Sequence, residues 1–111
     1  MKEFDKIYNE DCLRGMADIP DGSIDCIIAD PPYGVLNKSS DGGLWDKVID
    51  PALLWEQYRR VTKPNAAIII FAQGMYTADV MQSNRAEWRY NLIWDKINRP
   101  TGFLEANRKP L

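Results

Sequence analysis

The sequence contains no histidine and only two cysteines among its 111 residues. Without histidine, the Ser-His-Asp and Cys-His arrangements of nucleophilic catalysis are excluded, so any chemistry must rely on carboxylates, backbone groups and a cofactor. Cys12 and Cys26 are isolated and have no metal-ligand spacing, which predicts neither a metal site nor a disulfide. We interpret Cys26 as a thiol in the protein core.

Long apolar runs and an excess of basic residues are also absent. No run is long enough to cross a bilayer and the first five residues do not resemble a signal peptide, which predicts a cytoplasmic protein. The net charge is -2 and the pI is near 5.1. Phosphate binding depends on clustered Lys and Arg. If DNA is the substrate, most of the contacts to its phosphates must be made outside this chain.

The apolar segments alternate with helical patterns, as is typical of a single α/β domain. Two β-branched runs bounded by turn residues predict parallel strands buried on both faces, at 24–29 and 66–72. A further short strand is expected at 6–9. Helices are expected at 12–18, after Asp50-Pro51 and from 74 to 83, with Asp50 as the N-cap of the second and Pro51 at its first position.

Residues 88–95 follow a different period. Aromatic and aliphatic side chains occupy every second position there and predict an antiparallel strand, added to an otherwise parallel sheet. The complete order of elements predicts a three-layer α/β sandwich.

The tetrapeptide Asp30-Pro31-Pro32-Tyr33 directly follows the first predicted strand. Functional groups of open parallel sheets collect beyond the carboxyl ends of the strands. An aromatic amine is a poor nucleophile until two acceptors draw its hydrogens out of the ring plane. The Asp30 carboxylate and the carbonyl of Pro31 can supply them, because consecutive prolines hold the backbone rigid. Tyr33 offers a ring on which a flipped base can stack.

The alternative for this tetrapeptide is a strand-ending turn in which Asp30 is a solvated or amide-capping carboxylate. The motif is rare, on the order of a few per million positions at average amino-acid usage. Its place directly after a buried strand also favours the catalytic interpretation.

With these residues the sequence resembles the S-adenosylmethionine-dependent DNA amino-methyltransferases of restriction–modification systems, in the permuted class whose catalytic segment comes first. The resemblance covers essentially the whole chain and depends mainly on Asp11 and on the residues from Asp30 to Tyr33. It implies a partial Rossmann-like fold and DNA as the partner. The motif's aspartate, rather than a serine, favours adenine as the target; cytosine amines and RNA are the alternatives.

By this resemblance Asp30, Pro31, Pro32 and Tyr33 hold and activate the target amine, while Asp11 and Cys12 contact the adenine end of S-adenosylmethionine. The negative charge of Asp30 also suits the donor's positive sulfur. A helix N-cap is an equally good explanation of Asp11 and does not exclude the cofactor role.

Two further sets of residues have open roles. Trp45 either flanks the target base, closes over the methyl donor or packs in the fold. Four basic residues either contact phosphates or are solvated: Lys96, Arg99, Arg108 and Lys109.

One family feature is missing. The family's cofactor-binding turn has two glycines separated by a single residue, and no two of the seven glycines here have that spacing. We therefore expect residues 1–111 to be one incomplete catalytic domain, the target-base half, without its glycine loop and target-recognition region. An isolated chain of this kind is expected to be inactive, and a non-catalytic binding or assembly remnant is the alternative. One edge of the strand at 24–29 would then have no neighbouring strand. We expect the chain to self-associate through this edge; the alternative is that the first segment folds back to cover it.

Overall fold

A computed structural model describes residues 2–34 and 47–97, which form three helices and two strands. The predicted helices and the two predicted parallel strands are confirmed, with small shifts of their ends. No helix in these two ranges is both long and apolar enough to cross a bilayer. The elements in chain order are α1 (Cys12–Ala17), β1 (Ile24–Ala29), α2 (Pro51–Val61), β2 (Thr62–Ile70) and α3 (Met75–Ser83).

The two strands pair in parallel to form a two-stranded sheet. Cys26 to Ala29 are in register with Ala67 to Ile70, whereas Ile24 pairs with Thr62 across an irregularity. The irregularity contains Pro64, which has no N–H to donate, and Asn65, whose φ of 67° lies in the left-handed region that Asn tolerates. The regular part of β2 is therefore the apolar run that the sequence predicts as a strand.

Side-chain caps begin two of the helices. The Asp11 carboxylate accepts hydrogen bonds from the backbone N–H groups of Leu13 and Arg14, at 2.9 and 3.2 Å. Asp50 accepts from the N–H of Ala52 at 3.0 Å and is followed by a proline at the first helical turn, as predicted. Each cap satisfies donors that a helix start otherwise leaves unpaired.

Arg60 joins the end of α2 to the end of α1. Its guanidinium donates to the carbonyl oxygens of Met16 and Ile19 at 2.6 and 2.8 Å, and to the carboxylate of Asp21 at 2.7 Å. Next to it, the N–H of Gly22 donates to the Arg60 carbonyl at 2.8 Å. These bonds fix the turn from which β1 starts.

The core lies between α2, α3 and one face of the sheet. Four apolar side chains of the described residues are buried: Leu54, Tyr58, Val61 and Tyr76. Three of them come from α2 at the helical spacing that the sequence shows, and Tyr76 comes from the first turn of α3. The indole of Trp55 donates to the hydroxyl of Ser83 at 2.9 Å and ties the two helices together.

Within residues 2–34 and 47–97 the sheet is covered on one face only, so the prediction of strands buried on both faces is wrong. Alternation along the paired strands places Cys26, Ile28, Ala67 and Ile69 on the same face, and all four are exposed, with Ile28 at 69%. The interpretation of Cys26 as a core thiol is therefore also wrong, because it lies on this open face as a free cysteine.

The predicted strand at 6–9 does not form, and Ile7 is fully exposed. A strand needs a neighbour for its backbone groups, and β1 pairs only with β2 in the described part of the chain. Local contacts form instead. The Tyr8 hydroxyl accepts from the N–H of Glu3 at 2.8 Å, and the Lys2 ammonium lies 4.0 Å from the Tyr8 ring centroid. Within the described residues, no strand pairing joins this first segment to β1.

The antiparallel strand predicted at 88–95 is also wrong, because these residues form no strand and are exposed. Their contacts are mostly local, such as the bond from the Trp88 indole to the Asn91 side chain at 3.0 Å. Trp94 contacts the ring of Phe71, with centroids 5.7 Å apart. Period-two alternation describes side chains, and it does not provide the partner that the backbone requires.

Arg60→Met should destabilise the chain by about 1–3 kcal/mol, because it leaves carbonyls at the end of α1 without their donor. Arg59→Met is the matched control. Arg59 is exposed and paired with Glu87, so its loss should cost about 1 kcal/mol or less. Urea unfolding followed by circular dichroism measures both, and equal effects of the two substitutions would contradict this structural role of Arg60.

Candidate active site

The Asp30-Pro31-Pro32-Tyr33 tetrapeptide begins where β1 ends. The N–H of Phe71 donates to the carbonyl of Ala29 at 2.8 Å, so the parallel ladder continues up to the residue before the motif. The motif and the residues that follow β2 therefore share one edge of the sheet. This is the edge at which the sequence predicts the site.

Asp30 and Tyr33 are joined directly. The Tyr33 hydroxyl donates to Oδ1 of Asp30 at 2.9 Å. Asp30 is exposed, whereas Tyr33 is partly buried. The carboxylate is therefore accessible to solvent, and one of its oxygens is held in place by the tyrosine of the same motif.

A second tyrosine supports the first. The rings of Tyr33 and Tyr76 are stacked, with centroids 5.0 Å apart and an interplanar angle of 27°. Burial, the hydrogen bond to Asp30 and the negative charges of Asp30 and Tyr76 raise the pKa of Tyr33 to about 12. The Tyr33 hydroxyl is therefore neutral, and able to donate, throughout the physiological range.

Pro31 of the motif faces the core side. Pro31 lines a small apolar cavity of about 20 Å³ together with residues of α2, β2 and α3, among them Tyr58, Ile70 and Tyr76. That volume can hold one water molecule at most, so the cavity is a packing space and not a pocket for a base. Any base that approaches Asp30 must do so from the exposed side.

Asp11 and Cys12 lie at the start of α1, which packs against α2. Oδ1 of Asp11 accepts the two capping bonds, so the helix-cap explanation of this residue holds in the structure. Burial and the neighbouring Asp11 carboxylate raise the pKa of the Cys12 thiol. None of the described contacts joins either residue to Asp30.

Tyr58 is buried on α2 and lines the same small cavity as Pro31 and Tyr76. Its pKa is raised to about 12, first by burial and then by Coulombic interaction with Cys12 and Tyr76.

Sequence reasoning gave no role to Tyr76. A usable signal was present, because Tyr76 follows the second parallel strand by a few residues and such segments converge at one sheet edge. Trp45, Arg99, Arg108 and Lys109 lie outside the described residues, and Lys96 is exposed. No cluster of potential metal ligands occurs within residues 2–34 and 47–97.

The fold and the motif together define an α/β segment with a carboxylate–tyrosine site at the carboxyl ends of parallel strands. In sequence the chain is similar to Type II methyltransferases. M.BglII of Bacillus subtilis is 29% identical over 97% of this chain and 32% of its own length. M.BamHI of Bacillus amyloliquefaciens is 38% identical over 60% of this chain and 17% of its own length.

M2.MboI of Moraxella bovis is a further relative, 30% identical over 87% of this chain and 43% of its own length. The chain thus spans less than half of the length of each of these three relatives. No protein-family model and no solved structure matches it. The similarity relates the chain to a part of Type II methyltransferases.

Ionisation of Tyr33 should lower the stability of the folded chain at alkaline pH. The ordinary tyrosine pKa is near 10, and the folded-state pKa of Tyr33 is about 12. Its stabilising contribution is therefore complete below pH ~10 and is lost as the pH rises towards ~12. The difference in unfolding free energy between the wild type and Tyr33→Phe should shrink over this interval in urea titrations. Tyr90→Phe, at an exposed tyrosine, serves as the control, and a constant difference would contradict the assignment.

Proposed function

We propose that this chain is the target-base half of an S-adenosylmethionine-dependent DNA methyltransferase that acts on the N6 amine of adenine. The proposal depends on one observation: the exposed Asp30 carboxylate lies at the carboxyl ends of two parallel strands and accepts a hydrogen bond from Tyr33. The similarity of nearly the whole chain to M.BglII supports it. An aspartate at the first motif position favours adenine.

The chemistry follows from the acceptors at the motif. Asp30 and the carbonyl of Pro31 accept hydrogen bonds from the two hydrogens of the amine and draw them out of the plane of the base. The nitrogen lone pair would then attack the donor's methyl group, so that the new N–C bond forms as the S–CH3 bond breaks, the sulfur leaves as a neutral thioether and one amine proton is released to water. Because this demand increases as the nitrogen becomes tetrahedral, the two acceptors stabilise the transition state more than the ground state.

Tyr33 has two tasks in this proposal. Its ring stacks on the flipped base, and its hydroxyl holds Oδ1 of Asp30 in place. The second carboxylate oxygen is left for the amine. The Tyr33 hydroxyl, whose pKa is raised to about 12, is protonated at physiological pH and donates to Asp30.

The methyl donor would be S-adenosylmethionine, which supplies an electrophilic methyl group on a positively charged sulfur. The residues present fit part of such a site. Asp11 uses only Oδ1 in the described capping bonds, so its carboxylate can accept a further donor from the adenosine end, next to the exposed Cys12. Asp30 would face the sulfur's charge. A cofactor-binding glycine turn has no counterpart among this chain's glycines.

The chain would work with a second polypeptide surface. One face of the sheet is open, and one edge of β1 has no partner among the described residues. A half that carries the cofactor turn would cover them in an active enzyme, and a second copy of this chain would do so in its absence. With a net charge of -2, most of the DNA phosphate contacts also belong to that other half.

The isolated 111-residue chain should bind S-adenosylmethionine weakly and transfer no methyl group to DNA, because the glycine turn is missing. Isothermal titration calorimetry measures the affinity, and transfer of a tritiated methyl group to duplex DNA measures activity. A dissociation constant near ~1 µM, equivalent to about -8 kcal/mol, would show that the chain holds a complete donor site.

In a complete methyltransferase that contains this segment, Asp30→Ala should lower kcat by roughly 10²-fold or more and leave DNA binding nearly unchanged. Asp25→Ala is the matched control, since Asp25 is an exposed carboxylate of β1, the strand that precedes Asp30, and is paired with Lys63. Single-turnover methylation and gel-shift titrations separate the two effects. Near-normal turnover in Asp30→Ala would place the chemistry elsewhere.

A further inference from the structure

Among the described residues, Tyr76 is the buried side chain that contacts the Asp30–Tyr33 motif through an aromatic stack. We propose that Tyr76 is a positioning residue, whose ring fixes the plane of Tyr33 and thereby holds the Tyr33 hydroxyl on Asp30 and presents the opposite ring face to the target base. The part that concerns the base depends on the proposed function. The part that concerns Tyr33 and Asp30 does not.

Tyr76 is suited to this task because it is itself held firmly. It is 8% exposed and lies in the first turn of α3, where it lines the cavity shared with Pro31 and Tyr58. The helix is tied to α2 by the Trp55–Ser83 hydrogen bond. A ring in this position cannot move far without disturbing the core.

Tyr33 needs an external support because its own element does not supply one. It follows β1 by four residues and belongs to no helix or strand. The hydrogen bond to Asp30 fixes where the hydroxyl points, but a single bond at the end of the ring leaves rotation about its axis free. The stack at 5.0 Å and 27° removes that freedom.

The stack also determines which side of Tyr33 remains for a ligand. A ring has two faces, and Tyr76 covers one of them. A flipped base can therefore stack only on the other face. Because Asp30 is bonded to the same ring's hydroxyl, a base on that face lies beside the carboxylate. Tyr76 makes no described contact with Asp30, so it acts through Tyr33.

The test uses tyrosine labelled with carbon-13 in the 111-residue chain. In the wild type, a nuclear Overhauser effect should connect the rings of Tyr33 and Tyr76, and the Tyr33 resonance, assigned with Tyr33→Phe, should titrate near pH 12. In Tyr76→Leu the midpoint should fall towards 10, since the hydrogen bond to Asp30 and the burial are lost together. Tyr90→Leu, at a tyrosine that is 72% exposed, is the matched control and should leave the midpoint unchanged.

Tyr76→Phe separates positioning from the chemistry of the Tyr76 hydroxyl. It keeps the stack and removes only the smallest of the causes that raise the pKa of Tyr33, so the midpoint should stay well above 10. Circular dichroism confirms that each variant is folded. A folded Tyr76→Leu chain that still titrates near 12, a Tyr76→Phe chain that titrates near 10, or no effect between the rings in the wild type would each overturn the proposal.

A second measurement concerns the base. In a complete methyltransferase that contains this segment, an oligonucleotide with 2-aminopurine at the target position should lose fluorescence on binding as the base stacks on Tyr33. Tyr76→Leu should weaken binding by roughly 2- to 12-fold, which corresponds to the ~0.5–1.5 kcal/mol of an aromatic pair, and Tyr76→Phe should restore it. If the wild type binds no 2-aminopurine while the tyrosine titrations behave as expected, the positioning role stands and the proposed function fails.

Discussion

Parallel pairing of β1 and β2 is the interaction on which the site depends. Because both strands run in the same direction, the residues that follow them emerge at the same edge, and the Phe71–Ala29 bond keeps them together up to the last residue of β1. Asp30 to Tyr33 follow one strand, and Tyr76 follows the other. Without this pairing the motif would be a turn with no aromatic support, and the Asp30–Tyr33 bond would have only its own backbone to maintain it.

The parts of the structure that could be predicted are those whose cause is local in sequence. Asp50-Pro51 starts α2 because the aspartate caps the first N–H groups and proline fits the first turn. Ile24–Ala29 is a strand because its β-branched run ends at two prolines. Because Asp30 directly follows this strand, its position at a strand's carboxyl end was predicted correctly. The roles of Asp11, Cys12 and Tyr33 in binding remain predictions.

The parts that failed depend on partners that a pattern does not contain. Residues 6–9 and 88–95 have the composition of strands, but neither has a neighbouring strand within the described residues, so their backbone groups stay outside the sheet. Cys26 has a core pattern and an exposed position for the same reason, since nothing described covers its face. Tyr76 was missed because its contact with Tyr33 joins elements that are distant in sequence.

The support of the motif and the open face of the sheet lie on opposite sides of the same two strands. All of the described support for Asp30 and Tyr33 comes from the covered side, where Tyr76, Tyr58 and α2 lie. The exposed face, with Ile28 and Ile69, contributes nothing to that support. The geometry of the carboxylate can therefore be set within this segment, while the uncovered apolar surface can pair with another polypeptide without disturbing it. This division fits the proposed function, in which the chain would supply acceptors for an amine and another surface would hold DNA and the methyl donor.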